Sequence, residues 1–387
     1  MTGTNPALPA NRLLSVDALR GITIAFMIMV NNNGSDGAWP FMQHAAWNGM
    51  TATDLVFPTF LFVVGASIVF AFEARLGKGA KRADLALQTL RRTATLIFFG
   101  LLVNGLGGAI YLFPAVPFDS WRIYGVLQRI AICYCIASFL YLWDRKPLSK
   151  IVIAVSCLVG YWILMRWVPV PGYGVPGRDI PLLDHDANLV AWLDRQLLPG
   201  RLYEGVRDPE GLLSDLPALG TCLLGMLAGM WIRTTRPLAE RARGLAIAAV
   251  TLFLTGLLWS VWFPLNKKLW TSSYVLAAAG ISTAVLAFCF WAIEVKGWRK
   301  GWTWAPLIFG SNAIAAYMIS ELLPAFFVRW HLTANGRPSD IFHWCFVNLF
   351  AWIPSPGLAS FAYSFAYMAL CFLPVWILYK KKIFLKV

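Results

Sequence analysis

Charged residues are scarce in this chain of 387 residues. Asp, Glu, Lys and Arg make up 13% of it, against about 25% in a soluble domain, which leaves too little polar surface to cover a globule in water. The apolar residues, 58% of the chain, stand in uninterrupted blocks of about 20, the length that crosses a bilayer core as a helix. Barrel strands are shorter and alternate in hydrophobicity. The composition therefore predicts an all-α integral membrane protein.

Motifs of soluble enzymes and metal sites are also absent from the sequence. It has no Walker A motif, no Gly-rich turn after a strand and no Gly-x-Ser-x-Gly. Its seven Cys and four His include no Cys-x-x-Cys and no zinc-ligand spacing, so we predict neither a disulfide nor a metal. The net charge of +14 does not indicate nucleic-acid binding, because most Lys and Arg stand beside predicted helix ends.

The apolar blocks predict about ten transmembrane helices. A further apolar segment, 341–353, is short and is followed by Pro354 and Pro356, so we interpret it as an interfacial or re-entrant helix. Residues 1–15 are expected to form a cytoplasmic tail and residues 16–387 a single transmembrane domain. The predicted spans are 16–33, 53–73, 91–109, 123–142, 150–167, 213–232, 243–262, 272–293, 304–328 and 358–379.

The basic residues predict the orientation of the chain. With the N-terminus inside, 22 of the 33 Lys and Arg fall on inside segments, as the positive-inside rule requires. Both ends of the chain are therefore expected in the cytoplasm. One outer loop, 168–212, is long and carries seven acidic residues against four Arg. It is either a solvated surface loop or a lid that favours a cationic substrate.

The stretch from residue 31 to residue 60 carries the candidate chemistry. His44 lies in the first outer loop, and Asp54 begins the second span. A His beside a carboxylate is the arrangement of a general base, because the carboxylate fixes the tautomer and stabilises the imidazolium. Loop His and Asp residues are also common as structural groups, so both interpretations stand at this point.

Other polar residues fall in the outer halves of the predicted spans. Ionisable residues within a span usually face a cavity or pair with one another, so this pattern predicts either a polar pocket open to the outside or a structural ion pair between Arg129 and Glu321. On the inner side, Arg91 and Arg92 begin the third span. They are either topological anchors or a seat for a phosphorylated cytoplasmic cofactor. The outer-half residues are Asn31, Asn32, Asn104, Gln128, Arg129 and Glu321.

At these residues the sequence resembles the heparan-α-glucosaminide N-acetyltransferase family, including its bacterial NagX-like members. The Asp-Ala-Leu-Arg-Gly element also resembles the wider transmembrane acyltransferase superfamily. The similar motifs run from the first span to the end of the chain. They are LSVDALRGITIAFMIMVNN, HAAWNGMTATDLVFPTFLFVVGASI, WRIYGVLQRIAICY, PLNKKLWTSSYVL, FGSNAIAAYMISE and YKKKIFLKV.

The resemblance implies transfer of acetyl from cytoplasmic acetyl-CoA to the amine of a terminal glucosamine on the far side of the membrane. It implies that His44 is the active-site histidine, supported by Asp54, and that Asn31, at the end of the first span, is a candidate donor to the oxyanion. We assign donor binding to Arg91, Arg92, Gln128, Arg129 and Asn312. His44 acts either as a base in a ternary complex or as a carrier of the acetyl group.

The resemblance also implies a bacterial inner-membrane protein in contact with lipid, for which a homodimer is a candidate assembly. Lysosomal members carry an additional N-terminal domain and first helix, whereas this chain is expected to begin directly at the core, so the acceptor is expected to be a glucosamine-type sugar rather than heparan itself. A transporter for an amino sugar, with His44 and Asp54 as a proton relay, is the alternative function. A non-catalytic membrane scaffold is the third.

Overall fold

The structure is a computed structural model that describes residues 13–112, 121–327, 331–334 and 337–385. We call the face that holds the start of the first helix the inner face and the opposite one the outer face, following the predicted orientation. The helices are α1 (Leu14–Val30), α2 (Val56–Leu76), α3 (Arg82–Leu112), α4 (Val126–Trp143), α5 (Pro147–Trp167), α6 (Leu189–Leu197), α7 (Asp215–Ile232), α8 (Leu238–Trp259), α9 (Ser272–Phe290), α10 (Trp304–Ser311), α11 (Ala313–Phe327), α12 (Ile341–Leu349) and α13 (Pro356–Lys380).

Eight of the described helices are long and apolar enough to cross a membrane, namely α2, α3, α4, α5, α7, α8, α9 and α13. The pair α10 and α11 is bent by 82° and forms a ninth span if it is counted as one. With 17 residues, α1 lies at the lower limit of about 17–25 residues for a spanning helix. An all-α membrane protein is confirmed, and ten spans are reached when α1 and the bent pair are both counted.

The segment predicted as interfacial or re-entrant forms the nine-residue helix α12. At a rise of about 1.5 Å per residue it is too short to cross a bilayer. A short antiparallel hairpin of β1 (His331–Ala334) and β2 (Arg337–Asp340) precedes it. The Asp340 carboxylate accepts hydrogen bonds from the first backbone N–H groups of α12, at 2.9 and 3.0 Å, and so begins the helix.

A close backbone contact joins α2 to α7. A Cβ built on Gly65 would lie 1.8 Å from the Cys222 carbonyl oxygen, and one built on Gly225 would lie 1.9 Å from the Phe62 carbonyl oxygen. Lipid tails are as apolar as Leu, so helices in a bilayer associate by close packing, and small residues let their backbones approach. This contact fixes α2, which begins at the candidate site.

Arg20 joins three helices near the inner face. Its guanidinium donates to the Asp17 carboxylate at 2.9 Å within α1, to the Ser67 hydroxyl of α2 at 2.6 Å, and to the Gly310 carbonyl of α10 at 3.2 Å. A charged side chain within a span is stable only when such partners surround it. These bonds hold the inner ends of α1, α2 and α10 in one arrangement.

The α2–α7 contact leads to the first testable prediction. Gly225→Ala should lower the free energy of unfolding by about 1–3 kcal/mol, because overpacking forces the backbones apart. Gly160→Ala on α5 is the matched control, since a Cβ there meets no atom within 4 Å and Ala is the better helix former. Thermal unfolding of the two purified variants in the same detergent makes the comparison. Equal melting temperatures would show that the contact tolerates a methyl group.

Candidate active site

The two residues predicted to form a base lie in direct contact. The Nδ1 atom of His44 is 2.6 Å from Oδ1 of Asp54. The Asp54 side chain is 1% exposed and the His44 side chain 47% exposed. The carboxylate therefore sits beneath the imidazole, and the ring faces outward from the outer end of α2.

The Asp54 carboxylate is held by three further groups. Its Oδ2 atom accepts from the Ala45 backbone N–H at 3.1 Å, and from the backbone N–H and the hydroxyl of Thr51, both at 3.0 Å. The Tyr274 hydroxyl of α9 donates to the backbone carbonyl of Asp54. Four donors on one buried residue fix the orientation of the carboxylate and therefore that of the imidazole.

The geometry assigns the two ring nitrogens of His44 different tasks. With Nδ1–H donated to the carboxylate, Nε2 carries the lone pair and is the nitrogen that can take a proton from a substrate. The buried carboxylate stabilises the imidazolium that results. The pair is therefore built as an oriented base at an accessible surface.

The segment that carries His44 is fastened on both sides. Towards the outer loop (residues 168–211), the Trp47 indole donates to the Leu183 carbonyl at 2.9 Å, and its ring stacks on that of His185 with centroids 4.0 Å apart. Towards the connection between α8 and α9, the Gly49 N–H donates to the Leu265 carbonyl at 2.8 Å. The Asn266 amide donates to Asn48 at 3.2 Å. This anchoring holds the base close to the outer loop.

The outer loop is a packed structure, whereas the sequence allowed either a solvated surface loop or a lid. Arg122, just before α4, donates to the carboxylates of Asp208 and Glu210 in the loop. Arg207 donates to Asp186 and Glu204 and lies over the Trp47 ring, 5.0 Å from its centroid. The loop therefore forms a cap next to His44, and selection of a cationic substrate by this cap remains a prediction.

One carboxyl group inside the cap is poorly satisfied. Asp194 of α6 accepts from the Leu212 N–H through Oδ1, at 3.0 Å, but its buried Oδ2 has no hydrogen-bond partner among the described residues. Burial raises the pKa of Asp194 to about 7, because desolvation disfavours the charged form. Its carboxyl group therefore changes charge near neutral pH.

Arg129 is paired with Asp215, so the ion pair with Glu321, one of the two alternatives drawn from the sequence, is wrong. Arg129 is fully buried, and its Nε donates to Asp215 of α7 at 3.0 Å. The same guanidinium binds the Gly211 carbonyl at 2.9 Å, so its role is to fasten the end of the outer loop to α4. Asp215 lies one helical turn from that loop end and is nearer in the fold than Glu321. Glu321 instead accepts a hydrogen bond from the Asn31 side chain.

A cavity of about 1270 Å³ opens between α1, α2, α3 and α4 at the inner face. Two acidic residues, Asp17 and Asp84, also line it, so basic groups outnumber acidic ones three to one. Phosphate groups bind such clusters through charge-assisted hydrogen bonds. The basic residues that line it are Arg20, Arg75, Lys78, Arg91, Arg92 and Lys382.

The cavity extends far towards the outer face. On α2 its lining runs from Arg75 to Phe60, which at about 1.5 Å per residue is roughly 22 Å along the helix axis. Asp54 lies six residues beyond Phe60, about 9 Å further along the same axis. On α4 the cavity reaches Leu127, the second helical residue. One helix thus links the basic inner cavity to the outer His44–Asp54 pair.

The five residues predicted to bind a donor have different positions. Arg91 and Arg92 line the cavity; Arg92 lies over the Tyr134 ring, 4.6 Å from its centroid, and its buried Nε has no partner among the described residues. The cavity wall on α4 is formed by Leu127 and Ile130 rather than by Gln128 or Arg129.

Both polar side-chain atoms of Gln128 are buried and without a hydrogen-bond partner in the described part of the chain. The side chain lies against Gly100 of α3, where an added Cβ would come within 2.6 Å of it. A buried amide without partners costs about 1–3 kcal/mol, but Gln128 is not among the residues that line the cavity, so donor binding by Gln128 stays a prediction. The Asn312 side chain binds the backbone of Ile383 and Leu385 rather than facing the cavity.

Four of the six basic residues that line the cavity were not predicted from the sequence to bind the acyl donor. Arg20, Arg75, Lys78 and Lys382 were interpreted as topological residues, because they fit the positive-inside pattern. Nothing in their spacing separates an anchor from a ligand-binding group, since α1, α2 and the segment after α13 meet only in the folded structure. Tyr274 was missed for the same reason, as its partner Asp54 is 220 residues away.

Comparison with known proteins agrees with this architecture. A sequence profile of the family described as heparan-α-glucosaminide N-acetyltransferase, catalytic, matches residues 12–256. The chain is similar to the heparan-α-glucosaminide N-acetyltransferases of Mus musculus and Homo sapiens, at 28% identity over 98% of the chain in each case. The matches cover 61% of the mouse protein and 60% of the human one, so the chain spans about 60% of the length of these relatives.

The Asp194 carboxyl group leads to a prediction about pH. Its raised pKa means that the folded cap favours the neutral form, so its contribution to stability falls as pH rises from about 4 to about 7. Asp194→Asn, which stays neutral and keeps the acceptor for Leu212, should unfold at a higher temperature than the unmodified chain at pH 8, and by a clearly smaller margin at pH 5, where only part of that loss has occurred.

Asp179→Asn is the control for that measurement. Asp179 is exposed and paired with Arg178, and the pKa of its carboxyl is lowered to about 2, so its charge does not change between pH 5 and pH 8. Any effect of this substitution on the melting temperature should be the same at both values. A pH-independent effect of Asp194→Asn as well would show that Asp194 is already ionised in the folded cap.

Proposed function

The chain belongs to the heparan-α-glucosaminide N-acetyltransferase family, and from that premise we propose that it transfers acetyl from cytoplasmic acetyl-CoA to the amine of a glucosamine-type sugar at the outer face. The observation that carries the proposal is the basic inner cavity, which extends along α2 towards the His44–Asp54 pair. A donor with phosphates needs the basic cavity, and an amine acceptor needs the base that His44 and Asp54 form.

The inner cavity suits the donor in charge and in length. Its six basic side chains match the phosphates of CoA, and Arg binds phosphate through two parallel hydrogen bonds. The narrow pantetheine arm then follows α2 outward, past the wall that Leu127 and Ile130 of α4 form. This arrangement presents the thioester near the outer ends of α2 and α4.

The chemistry at the outer face begins with proton removal. The acceptor's ammonium group is not nucleophilic, so Nε2 of His44 takes one of its protons and Asp54 stabilises the imidazolium. The free amine attacks the thioester carbonyl carbon, and the tetrahedral oxyanion needs a hydrogen-bond donor, for which Asn31 is the candidate. As the carbon–sulfur bond breaks, the amine loses a second proton and the CoA thiolate accepts one, giving the N-acetyl sugar and CoA.

A transporter is less well supported by the same residues. Transporters place their substrate site near the bilayer midplane, between repeats, whereas the titratable pair of this chain lies at the outer end of α2. A fully buried Arg129 fastens the outer loop to α4 and α7, which favours a fixed site over an alternating one. Acetyl-CoA binding separates the two functions, because a transporter of amino sugars has no use for it.

His44 and Asp54 give the first test of the proposal. His44→Ala should lower the rate of acetyl transfer from acetyl-CoA to glucosamine by about 10²–10⁴-fold, the usual contribution of a positioned base. Asp54→Asn should lower it as well, and the double variant should be no slower than His44→Ala, because residues that act as a unit fail together. CoA affinity should be unchanged in all three.

His343→Ala, which removes an exposed histidine of α12, is the matched control and should keep the full rate. A labelled-CoA exchange reaction without acceptor distinguishes the two roles of His44: exchange requires that the histidine carry the acetyl group, and its absence supports the base. Full activity of purified His44→Ala would exclude this site as the catalytic one.

Arg91 and Arg92 give the second test. Acetyl-CoA should raise the melting temperature of the unmodified protein, because a ligand that binds only the folded state stabilises it. The double substitution Arg91→Ala and Arg92→Ala should raise the Kd for CoA by about 10–100-fold, since a hydrogen bond to a charged group contributes about 1.5–3 kcal/mol. Arg236→Ala and Arg243→Ala, placed at another inner connection, form the control pair. Equal CoA affinity in both pairs would identify Arg91 and Arg92 as topological anchors only.

A further inference from the structure

Asn312 stands at the break between α10 and α11, where the chain turns by 82°. Its backbone has φ −133° and ψ 43°, outside the helical region, and the residue is 1% exposed. An amide buried in a helical bundle must find partners for both its donor and its acceptor. The break frees this side chain from its own helices, so its partners lie elsewhere in the chain.

Those partners are two backbone groups of one segment after α13. The Asn312 Nδ2 donates to the Ile383 carbonyl at 3.0 Å, and its Oδ1 accepts from the Leu385 N–H at 3.0 Å. The amide therefore binds the backbone at residues 383 and 385 in the way a neighbouring strand does. These two bonds fix residues 381–385, which we call the return segment, against the inner ends of the helices.

The return segment forms part of the cavity wall. Lys382, Phe384 and Leu385 all line the inner cavity, beside Tyr379 of α13, and the rings of Tyr379 and Phe384 meet edge to face with centroids 6.2 Å apart. Lys382 has a φ of 56°, the left-handed conformation that often ends a helix. It is held by bonds to the last turn of α13, from the Lys382 N–H to the Tyr379 carbonyl at 3.0 Å and from the Ile383 N–H to the Leu378 carbonyl at 2.9 Å. The two Asn312 bonds follow directly, at Ile383 and Leu385.

We infer that Asn312 is a positioning residue for the donor: it fastens the return segment as a wall of the inner cavity and so places the Lys382 ammonium against the phosphates of a CoA-type ligand. The inference rests on the proposed function, since it assigns a further part of the same donor site. Asn312 acts through the backbone of the return segment and does not itself contact the ligand. A ligand that binds better when the return segment is in place must also stabilise the segment in that position.

Limited proteolysis of the unmodified protein is the first measurement. Lys380, Lys381 and Lys382 are trypsin sites in or next to the return segment. Saturating CoA should slow cleavage at these bonds by about ten-fold, because cleavage requires the segment to leave the cavity wall. Cleavage after Lys296, Arg299 and Lys300, in the connection before α10, is the internal control, and its rate should not change.

The outcomes separate the inference from the proposed function. Protection of residues 380–382 by CoA supports both. A rise in melting temperature with CoA, but unchanged cleavage at these bonds, overturns the inference and leaves the proposed function standing. A protein that does not bind CoA at all overturns the proposed function and the inference with it.

Substitution of Asn312 is the second measurement. Asn312→Ala should raise the KM for acetyl-CoA about ten-fold, the effect of losing two neutral hydrogen bonds, with kcat and the acceptor KM unchanged. Asn312→Asp should behave similarly, because its carboxylate faces the Ile383 carbonyl without a hydrogen to donate. Asn348→Ala, which removes an exposed amide from α12, is the matched control and should leave all three constants unchanged.

Lys382→Gln tests the same inference if the Asn312 variants fold poorly. It leaves both bonds of the amide in place and removes only the charge, so it should weaken CoA binding without changing the rate of trypsin cleavage at Lys380 in the free protein. An unchanged KM for acetyl-CoA in Asn312→Ala overturns the inference. A fall in kcat of Asn312→Ala together with a similar rise in both KM values also overturns the inference, because such a pattern indicates general structural damage.

Discussion

The interior of a bilayer offers no water to satisfy a polar group, and this constraint determines where the polar residues of the chain lie. A buried polar group without a partner costs about 1–3 kcal/mol, and a charged one costs more. The chain therefore gathers its polar side chains into a few sets. Arg20 is surrounded by acceptors from three helices, and Arg129 by Asp215 and Gly211. Each set also joins elements that are distant in sequence.

The same constraint separates the molecule into two chemical ends. Cations gather at the face that the positive-inside rule predicts to be cytoplasmic, where they line the cavity proposed to bind the donor. The His44–Asp54 pair lies towards the opposite face, where the proposed acceptor would arrive from water. Arg75 lies in α2, and Asp54 lies in the short 3₁₀ turn Thr53–Leu55 that leads directly into it. Because α2 is held by its backbone contact with α7, one continuous segment sets the distance between the two ends.

Sequence periodicity predicted the spans well and the contacts between them poorly. Blocks of about 20 apolar residues reflect the bilayer thickness directly, so the described helices match the predicted spans closely. One exception is α3, which begins at Arg82 rather than at residue 91, because Arg and Lys extend a helix beyond the apolar core without leaving water. Another is the predicted span 304–328, which is broken at Asn312 into α10 and α11, bent by 82°. The His44–Asp54 pair was found because its residues are ten apart. Arg129 with Asp215 and Asn312 with the return segment are 86 and 71 or more residues apart, and no local pattern indicates such partners.

Buried polar atoms that have no hydrogen-bond partner in the fold indicate where a ligand could supply one. Arg92 Nε and both polar atoms of the Gln128 side chain are buried without partners among the described residues, as are Nη1 of Arg129 and Nε of Arg241. Arg92 lines the inner cavity, whereas the Gln128 side chain lies against Gly100 of α3. Groups left unpaired by folding alone are stable when a ligand completes their hydrogen bonds. Arg92 faces the cavity, so the phosphates of the proposed donor can complete its hydrogen bonds, whereas the Gln128 amide is enclosed against α3 and donor binding by it stays a prediction.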